Sequence, residues 1–347
     1  MLRVSTLETD PSAIGVSSGT AGVLGLRPLH QEHPPTTAYL MIGERCRSNC
    51  SFCAQASGST AGSRFLSRIT WPLYPSPDVL SAVAEAFRHQ KIGRCCFQVT
   101  SSPGYQRRTL AAVRTLAGLS AVPICVSTSA PHAAAVRALL EAGAERVTVA
   151  LDAASERTYR ATKTGAWGTK LRLLQQCATT FPGRIGTHLI VGLGESERDM
   201  VTTLQLMVDW GITVGLFCFT PVAGTAMAHR SPPSLSSYRR IQAAFHLITS
   251  RFCRMDNLGF SPDGRIVEWG LDLGALRARL SDGVAFRTAG CPGCNRPYYN
   301  ERPGGTMYNY PRALTNEETN DAIDMVLMVP NKRPSASLTC TTIVCSP

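Results

Sequence analysis

Three cysteines within eight residues constrain this chain more than any other feature. Cys46, Cys50 and Cys53 lie in the stretch E-R-C-R-S-N-C-S-F-C-A-Q (44–55), directly after the strand-like run T-A-Y-L-M-I-G (37–43). Parallel α/β enzymes place their reactive groups at the carboxyl ends of strands. We therefore expect an α/β fold that presents three catalytic thiolates at a strand end.

The spacing of these cysteines leaves a metal site incomplete. Four ligands close a structural zinc site, and four thiolates hold an ordinary iron-sulfur cluster. The C-x3-C-x2-C loop has no fourth Cys or His close by, so it leaves one metal position open for a substrate or cofactor. Two plainer interpretations remain: a structural zinc knuckle with a distant fourth ligand, or buried cysteines that happen to lie close together.

The loop, with the aromatic Phe52 before its third cysteine, resembles the cluster loop of the radical S-adenosylmethionine (SAM) superfamily. The resemblance implies a [4Fe-4S] cluster on Cys46, Cys50 and Cys53, with SAM chelating the fourth iron. It also implies reductive cleavage of SAM to a 5'-deoxyadenosyl radical that abstracts hydrogen from unactivated carbon. The fold it implies is a (β/α)6 partial barrel.

Composition favours a globular enzyme in a reducing compartment. The 347 residues, 44% hydrophobic and 17% charged, suffice for one large α/β domain with appendages. No apolar run of about 18 residues occurs, and the N-terminus lacks a signal-peptide pattern, so we expect no membrane span and a cytoplasmic location. Thirteen cysteines without an export signal favour metal ligation over disulfides.

The chain is basic, with a net charge of +11 and an isoelectric point near 9.2. Such a charge suits anionic ligands, an acidic protein partner or nucleic acid. The arginines occur singly or in pairs, with no dense basic tract interleaved with aromatic residues, so nucleic acid is the less favoured partner.

Strand-like and helix-like segments alternate from residue 37 onwards. We expect strands at 37–43, 94–100, 123–128, 146–152, 185–191 and 213–220. We expect one helix that starts at Ser76-Pro77-Asp78 and continues through Phe87, and others at 105–119, 132–142, 169–181, 197–210 and 235–248. The alternation predicts a parallel sheet, that is, a partial (β/α)6 TIM-type barrel over residues 36–250. Residues 1–35 are expected to form a flexible lead-in, 251–315 an irregular extension with a C-x2-C motif, and 316–347 a mobile tail.

Two strand ends carry residues suited to bind SAM. Asp152 ends the fourth strand, where its carboxylate could bridge two ribose hydroxyls or simply cap the next segment. The fifth strand runs into I-V-G-L-G-E (190–195), which resembles the same stretch of biotin synthase and its relatives. The resemblance implies that the apolar residues of this stretch contact the adenine of SAM. With the segment F-T-P-V (219–222), which resembles the family's last adenine-facing strand, the expected SAM-binding residues are Phe52, Asp152, Ile190, Val191, Gly192, Glu195 and Val222.

The second strand departs from the superfamily pattern. The G-G-E motif that many members carry there is absent, and V-T-S-S-P-G (99–104) stands in its place. This departure is shared with the biotin synthase branch. Ser101 and Ser102 are the candidates for contacts with the aminoacyl part of SAM.

Cysteines elsewhere in the chain are candidates for a second cluster. Strands two and three carry Cys95, Cys96 and Cys125, and the tail carries Cys291-Pro-Gly-Cys294. Alternation lets only one of Cys95 and Cys96 point into the barrel. Biotin synthase holds an auxiliary, sulfur-donating cluster on matching strands, and its resemblance to this chain favours Cys96.

The proposed ligand set differs from that of biotin synthase. The third cysteine expected before the I-V-G-L-G-E run is missing, with Gly186 and Thr187 in its place. The C-x2-C motif could complete four ligands, namely Cys96, Cys125, Cys291 and Cys294, and tie the tail over the barrel mouth. Alternatively, the two strand cysteines are core residues and the C-x2-C motif binds zinc or nothing.

The C-x2-C motif followed by N-R-P-Y-Y-N-E-R-P-G-G (295–305) most resembles the two-subunit lipoyl synthases. The resemblance implies sulfur insertion at C6 and C8 of an octanoyl chain on a lysine of a lipoyl carrier protein, with the auxiliary cluster as sulfur source. It further implies a homologous second subunit and a low-potential electron donor. Arg296 and Arg302 would lie at the rim, facing an acidic carrier.

Three alternatives remain open. The first is a biotin synthase acting on dethiobiotin, and the second is a radical SAM enzyme of tRNA thiolation. The third is a non-catalytic iron-sulfur or zinc protein, in which Asp152 and the 190–195 stretch would have no purpose.

Overall fold

An eight-stranded, mostly parallel sheet organises the chain. The computed structural model describes residues 13–302 and 304–328, so Cys340 and Cys345, to which we assign no ligand role, lie outside the described residues together with most of the expected mobile tail. The strands are β1 Ala13–Val16, β2 Thr37–Ile42, β3 Phe65–Leu66, β4 Ile69–Thr70, β5 Leu73–Pro75, β6 Arg94–Val99, β7 Ile124–Thr128, β8 Arg146–Val149, β9 Ile185–Val191, β10 Thr213–Cys218, β11 Gly259–Phe260 and β12 Ile266–Glu268.

Ten helices flank these strands in the described residues. They are α1 Ser18–Val23, α2 Ser76–Arg88, α3 Tyr105–Leu119, α4 Ala133–Glu141, α5 Glu156–Thr162, α6 Trp167–Thr180, α7 Glu197–Asp209, α8 Leu235–Thr249, α9 Leu273–Leu280 and α10 Asn316–Leu327. Helices α2, α3, α4, α6, α7 and α8 confirm the six expected helices to within a few residues. Helix α5 was missed because its seven residues are too short to show a helical period.

The sheet confirms the predicted α/β class. Its order is β10-β9-β8-β7-β6-β2-β1-β5, and the six expected strands, β2 and β6 to β10, run parallel. In the described residues the sheet remains open, with β10 and β5 at its edges, as in a partial barrel. Every residue of β2 is buried, as expected for a strand covered on both faces.

Both ends of the described chain are more ordered than the sequence indicated. Residues 13–16, within the expected flexible lead-in, form the fully buried strand β1, which pairs antiparallel with β2 and β5. The A-I-G-V run is too short to show a period, which is why the pattern missed it. Helix α10 lies within the expected mobile tail, where Thr315 and Glu318 form a capping box.

A second core lies beneath the C-terminal segment. Buried residues of α8 and α9 pack with Ala322, Ile323 and Val326 of α10 and with Phe286. The barrel core is separate and lies between the sheet and the outer helices. The irregular segment from 287 to 311 therefore starts from a firmly packed base.

The course of this segment differs from the expected one. The C-x2-C motif lies at the amino ends of the strands, the end opposite the 44–55 loop. Thr36, just before β2, donates its backbone N–H to Asn295 Oδ1 (3.0 Å) and its hydroxyl to Gly293 O (2.6 Å). Arg94, the first residue of β6, donates to Pro292 O (3.4 Å). The motif closes the bottom of the partial barrel, whereas we expected it over the mouth.

From the bottom, the segment runs up the open side of the sheet. The ring of Tyr299 packs between Tyr39 of β2 (centroids 5.3 Å apart) and Trp71 (6.3 Å). Asn300 then donates to Cys218 O at the end of β10 (2.6 Å). Residues 291–300 thus cover the open side between β10 and β2, which the sheet itself does not close.

Candidate active site with two groups of cysteines

One cavity of about 310 Å³ occupies the interior of the partial barrel. Ligand sites typically have volumes of about 300–1,000 Å³. Eight cysteine residues line this cavity: Cys218, at the end of β10, and the seven predicted metal ligands, Cys46, Cys50, Cys53, Cys96, Cys125, Cys291 and Cys294. Of these seven, three lie at the carboxyl ends of the strands and four near the amino ends, so the cavity has two thiol-rich ends.

Cys46, Cys50 and Cys53, at the carboxyl ends of the strands, are the upper cysteines. Backbone hydrogen bonds fold them into a compact loop. Cys46 donates its N–H to Gln55 O (2.8 Å), and Cys53 donates to Cys50 O (3.1 Å). The guanidinium of Arg45 donates to Ala54 O (3.0 Å) and to two further carbonyls of the loop. The loop therefore holds its shape through main-chain contacts that leave the three thiols available to the cavity.

Gly43 allows the loop to leave the strand. Its φ is +105°, and a Cβ there would clash with the side chains of Thr100 and Ser102. Those side chains support the loop, since Thr100 donates its hydroxyl to Glu44 O (2.5 Å) and Ser102 Oγ accepts from Glu44 N–H (3.1 Å). Ser102 thus supports the loop, whereas Ser101 lines the cavity.

Burial favours the protonated form of the Cys50 and Cys53 thiols when no metal is bound. It raises the pKa of the Cys53 thiol to about 12 and raises the pKa of the Cys50 thiol. Nearby Lys163 acts against burial at Cys50. Because thiolates are the forms that bind metal, iron loading must release these protons.

Lys163 is a site residue that the sequence analysis missed. Its ammonium donates to Asp152 Oδ2 (2.5 Å) and to Ala150 O (3.0 Å), and both side chains are nearly buried, at 8% and 13% exposure. Burial alone would lower the pKa of Lys163, but Asp152 and Cys50 more than offset it and the pKa is raised. A lone lysine between two helices carries no sequence signal for such a role.

Asp152 is held in place by the sheet. Its φ is +64°, an uncommon conformation that Asp tolerates better than most residues. It donates its N–H to His188 O and accepts from Ile190 N–H, both at 2.8 Å. The carboxylate therefore lies at the cavity wall beside β9.

The other predicted SAM-binding residues divide into two groups. Phe52 and Ile190 line the cavity, whereas Val191 lies in the barrel core, because alternate strand residues face opposite sides. Gly192, Glu195 and Val222 do not line it. Gly192 has φ +103°, and a Cβ there would lie 2.7 Å from Pro233 Cδ, so close packing already requires glycine at this position.

Glu195 turns back into its own loop. Its Oε1 accepts from Gly192 N–H at 2.6 Å, and Oε2 is buried without a hydrogen-bond partner among the described residues. Burial raises the pKa of this carboxyl. In the structure, Glu195 stabilises the turn after β9 and does not face the cavity.

The four cysteines near the amino ends of the strands, the lower cysteines, come from two strands and the C-x2-C motif. Cys96 and Cys125 are paired neighbours on β6 and β7, and Cys291 donates its thiol toward Cys125 (3.7 Å). Cys95, on the opposite face of β6, is fully buried in the barrel core. Of the two adjacent cysteines, the one favoured by the biotin synthase resemblance therefore lines the cavity.

Hydrogen-bond donors surround these lower sulfurs. Gln98 Nε2 donates to Cys96 Sγ (3.0 Å), and Tyr39 Oη lies 3.2 Å from Cys294 Sγ. Arg296 Nη1 lies 3.8 Å from the same sulfur. We expected Arg296 at the rim, but its side chain lies inside the cavity wall and its residue is only 9% exposed.

A polar belt separates the two thiol-rich ends. It consists of Gln98, Ser127, Thr148 and His188, all of which line the cavity. Burial lowers the pKa of His188 to about 4, so its imidazole is neutral at physiological pH. The ring of His188 packs edge-on against Phe217, with centroids 5.0 Å apart.

Two findings about the described residues complete the description. No three Cys, His, Asp or Glu side chains converge on a single metal-ion position. A four-iron cluster differs from such a site, since each thiolate binds a separate iron. No helix is long and apolar enough to cross a membrane.

Comparison with known proteins gives one family match. Residues 40–207 match the model described as the Radical SAM superfamily. No curated protein sequence matches the chain. The matched segment contains the 44–55 loop, the strands β6 to β9 and Asp152.

Several solved structures are similar in fold. A crystal structure of HydG, a maturase of the [FeFe]-hydrogenase, is 12% identical with a TM-score of 0.50, over 61% of this chain and 50% of that chain. HydG from Carboxydothermus hydrogenoformans is 16% identical (TM-score 0.46; 62% and 52% covered). Methylornithine synthase (PylB) is 13% identical (TM-score 0.48; 67% of each chain).

The chain spans about half the length of the two HydG structures. At 12% identity, the likeness to the first of them concerns the fold alone. The family match includes the three-cysteine loop and agrees with the resemblance of that loop to the radical SAM superfamily. Residues 40–207 therefore match a radical SAM superfamily domain, a family that implies a [4Fe-4S] cluster and SAM as cofactors.

Proposed function

We propose that this protein is a radical SAM sulfurtransferase that inserts sulfur into unactivated C–H bonds, with a protein-bound octanoyl-lysine as substrate and lipoyl as final product. One observation carries the proposal. All seven predicted ligand cysteines line the same cavity, in two groups at opposite ends of the strands. A hydrogen-abstracting cofactor and a sulfur donor would then face the same substrate.

The upper end fits the family's cofactors. Its donor set is the three thiols of the loop, which suits a cluster with one iron left for SAM. Asp152 is the acceptor that would hold the ribose hydroxyls, and Phe52 and Ile190 offer apolar surface to the adenine. Lys163, paired with Asp152, would hold this carboxylate in position. Bound and reduced, this pair of cofactors supplies a carbon radical that removes hydrogen atoms from unactivated carbons.

The lower end fits an auxiliary iron-sulfur cluster. It offers four thiols within one lining, a match to the four ligands that such clusters take. Gln98, Tyr39 and Arg296 direct donors at two of the sulfurs, which stabilises negative charge there. Such a cluster supplies sulfur for the product.

The chain's own residues have the task of positioning. A carbon radical reacts with whatever lies nearest, so the target carbon must be held between the two ends. The belt of Gln98, Ser127, Thr148 and His188 surrounds that point. Residues 291–300 close the bottom and the open side, which excludes water that would compete for the substrate position.

The mouth suits an acidic carrier domain with a flexible arm. Burial lowers the pKa of half-buried Arg68, and the nearby exposed Arg302 lowers it further, so two positive charges lie close together here. They adjoin Ser67 and Tyr299, which line the cavity and are joined by a hydrogen bond of 2.7 Å. An acylated lysine could reach inward between these residues while its carrier rests on the basic rim.

A second candidate is sulfur insertion into dethiobiotin. The polar belt favours it, since a ureido ring would find hydrogen-bonding groups in Gln98 and His188, whereas an alkyl chain offers them none in return. Against it stand Gly186 and Thr187, where biotin synthase has a further cysteine.

Anaerobic assays of the reconstituted protein separate these functions. Octanoyl-lysine peptide and dethiobiotin are each incubated with SAM and dithionite, with and without a homologous second subunit, and products are read by mass spectrometry. We expect thiolated octanoyl-lysine. Sulfur in dethiobiotin alone would favour the second candidate, and 5'-deoxyadenosine without sulfur in either substrate would refute sulfur insertion for both.

A further inference from the structure

Arg296 is a buried cation without an acidic partner among the described residues. Its Nη2 donates to Ala289 O (2.5 Å) and Leu216 O (3.3 Å), and its guanidinium stacks on Phe217 at 4.1 Å from the ring centroid. No carboxylate in the described chain forms an ion pair with it. Arginine stays protonated in proteins, and a buried charge is costly unless an opposite charge compensates it.

The sulfur of Cys294 is the group that Arg296 faces. Arg296 Nη1 lies 3.8 Å from this sulfur, and the backbone N–H of Arg296 donates to Tyr39 Oη (3.0 Å). Since Tyr39 Oη already accepts this bond, its own proton is free to point to Cys294 Sγ, 3.2 Å away. Two donors therefore converge on one sulfur, an arrangement that suits a thiolate better than a neutral thiol.

Arg146 is a second positive charge near the motif, on the side of Cys291. It begins β8 and donates to the hydroxyl of Thr213, while its Nε is buried without a partner in the described part of the chain. It is also one of the positive charges that act on Cys291. The adjacent Arg94 differs, because Glu145 neutralises it through a direct ion pair.

We propose that Arg296, assisted by Arg146, provides the counter-charge for an anionic metal-thiolate group held by Cys96, Cys125, Cys291 and Cys294. The inference rests on the auxiliary cluster of the proposed function and adds how the protein holds its charge. Four thiolates around an iron-sulfur core carry net negative charge, which the two guanidiniums balance at the closed end of the barrel. Loss of positive charge should loosen the cluster and make its reduction harder, since reduction adds a further negative charge.

The test uses the full chain with Cys46, Cys50 and Cys53 changed to Ala, so that only the lower site can hold a cluster. In this background, R296M removes the charge and R296K keeps it. R172M is the matched control, because Arg172 is an exposed arginine of α6 that does not line the cavity. The readouts are the rate of iron loss to a chelator and the midpoint potential in an EPR-monitored redox titration. Neither readout depends on SAM or on substrate.

We expect R296M to lose iron about 10–100-fold faster than the background protein, the range found for groups that support metal ligands. Its midpoint potential should be more negative, while R296K and R172M stay close to the background. Equal behaviour of R296M and R296K would overturn the inference, because only the shape of the side chain would then matter. If R296M does not fold, R146M and R146K make the same comparison of charge.

The outcomes also separate this inference from the proposed function. A background protein that binds no iron at all would refute the auxiliary site and the counter-charge together. A cluster whose retention and potential are unaffected by R296M and R146M would refute the counter-charge alone. A charge-dependent cluster in a protein that inserts no sulfur would support the counter-charge and refute only the reaction.

Discussion

Replacing Lys163 with Met should destabilise the protein strongly and specifically. The ammonium of Lys163 and the carboxylate of Asp152 are 2.5 Å apart, with 8% and 13% of their side chains exposed. Removing the cation leaves a buried carboxylate with no ion-pair partner in the described residues, and this state is the source of the cost.

The expected magnitude follows from that burial. Removing one partner of a buried ion pair lowers the unfolding free energy by about 3–5 kcal/mol, whereas replacing both partners together is often nearly neutral. The K163M variant should therefore lose about 3–5 kcal/mol of unfolding free energy, and the K163M/D152N double variant should recover most of it. The residual carboxylate of K163M borders the cavity, where water reaches it, so the lower figure is the better guide.

Chemical unfolding of the metal-free proteins, followed by circular dichroism, measures the coupling energy between Lys163 and Asp152. The single variant D152N completes the double-mutant cycle. K163M unfolding at the wild-type midpoint, or a double variant no more stable than K163M, would contradict the reasoning. The pH dependence gives an independent check. The pKa of Lys163 is raised above its ordinary value of 10.5, so the stabilisation is complete below that pH and is lost as pH rises through the higher, folded-state value.

Three further predictions concern iron and the closure of the barrel. Reconstituted wild-type protein should hold about eight irons, on the count of two four-iron clusters, and a Cys291/Cys294→Ser double variant should hold about four while still forming 5'-deoxyadenosine; wild-type saturation at four would contradict it. Changing the three cysteines of the 44–55 loop to Ala should abolish 5'-deoxyadenosine formation under dithionite, and any remaining formation would exclude these ligands. Tyr299→Ala should lower the unfolding free energy by about 3–5 kcal/mol, whereas Tyr299→Phe should not, because the buried hydroxyl has no partner among the described residues; equal losses would show that the ring is not what closes the barrel.

The parallel core of the fold could be predicted because its signals are local. Each β/α unit shows its own apolar run and its own helical period, and the 44–55 loop follows directly from β2. Strand alternation alone shows that Cys95 and Cys96 face opposite sides. Because Ile190 faces the cavity, the same alternation places its neighbour Val191 in the core. The resemblance to biotin synthase had led us to expect both residues at the adenine.

The position of the tail could not be predicted in this way. Residues 287–311 have no period, and their place depends on single hydrogen bonds to distant segments, such as those of Thr36 with Gly293 and Asn295. Nothing in the sequence distinguishes closure at the bottom of a barrel from closure at its mouth. Lys163 and Arg296 were missed or misplaced for the same reason, since their roles depend on which charged groups the fold brings beside them.

The two thiol-rich ends set the length that a substrate must span. Ser101 follows Cys96 by five residues, along β6 and the turn after it, and its carbonyl accepts from Arg47 N–H of the upper loop at 3.1 Å. At roughly 3.3 Å per residue this path spans at most about 17 Å. In the proposed function, an acyl chain would therefore have to enter the polar belt to bring its target carbon near a sulfur donor at the lower cysteines.

A shortened acyl chain should thus separate the two half-reactions. With butanoyl-lysine peptide in place of octanoyl-lysine peptide, we expect 5'-deoxyadenosine to form while the thiolated product per 5'-deoxyadenosine falls sharply. The butanoyl chain ends two carbons short of C6, so a carbon radical formed on it would lie farther from the lower cysteines than the C6 radical of the octanoyl chain. Both quantities are read from the same anaerobic reaction by mass spectrometry. An equal ratio for the two peptides would mean that the donor sulfur does not reside at the closed end of the barrel, whatever the lower four cysteines bind.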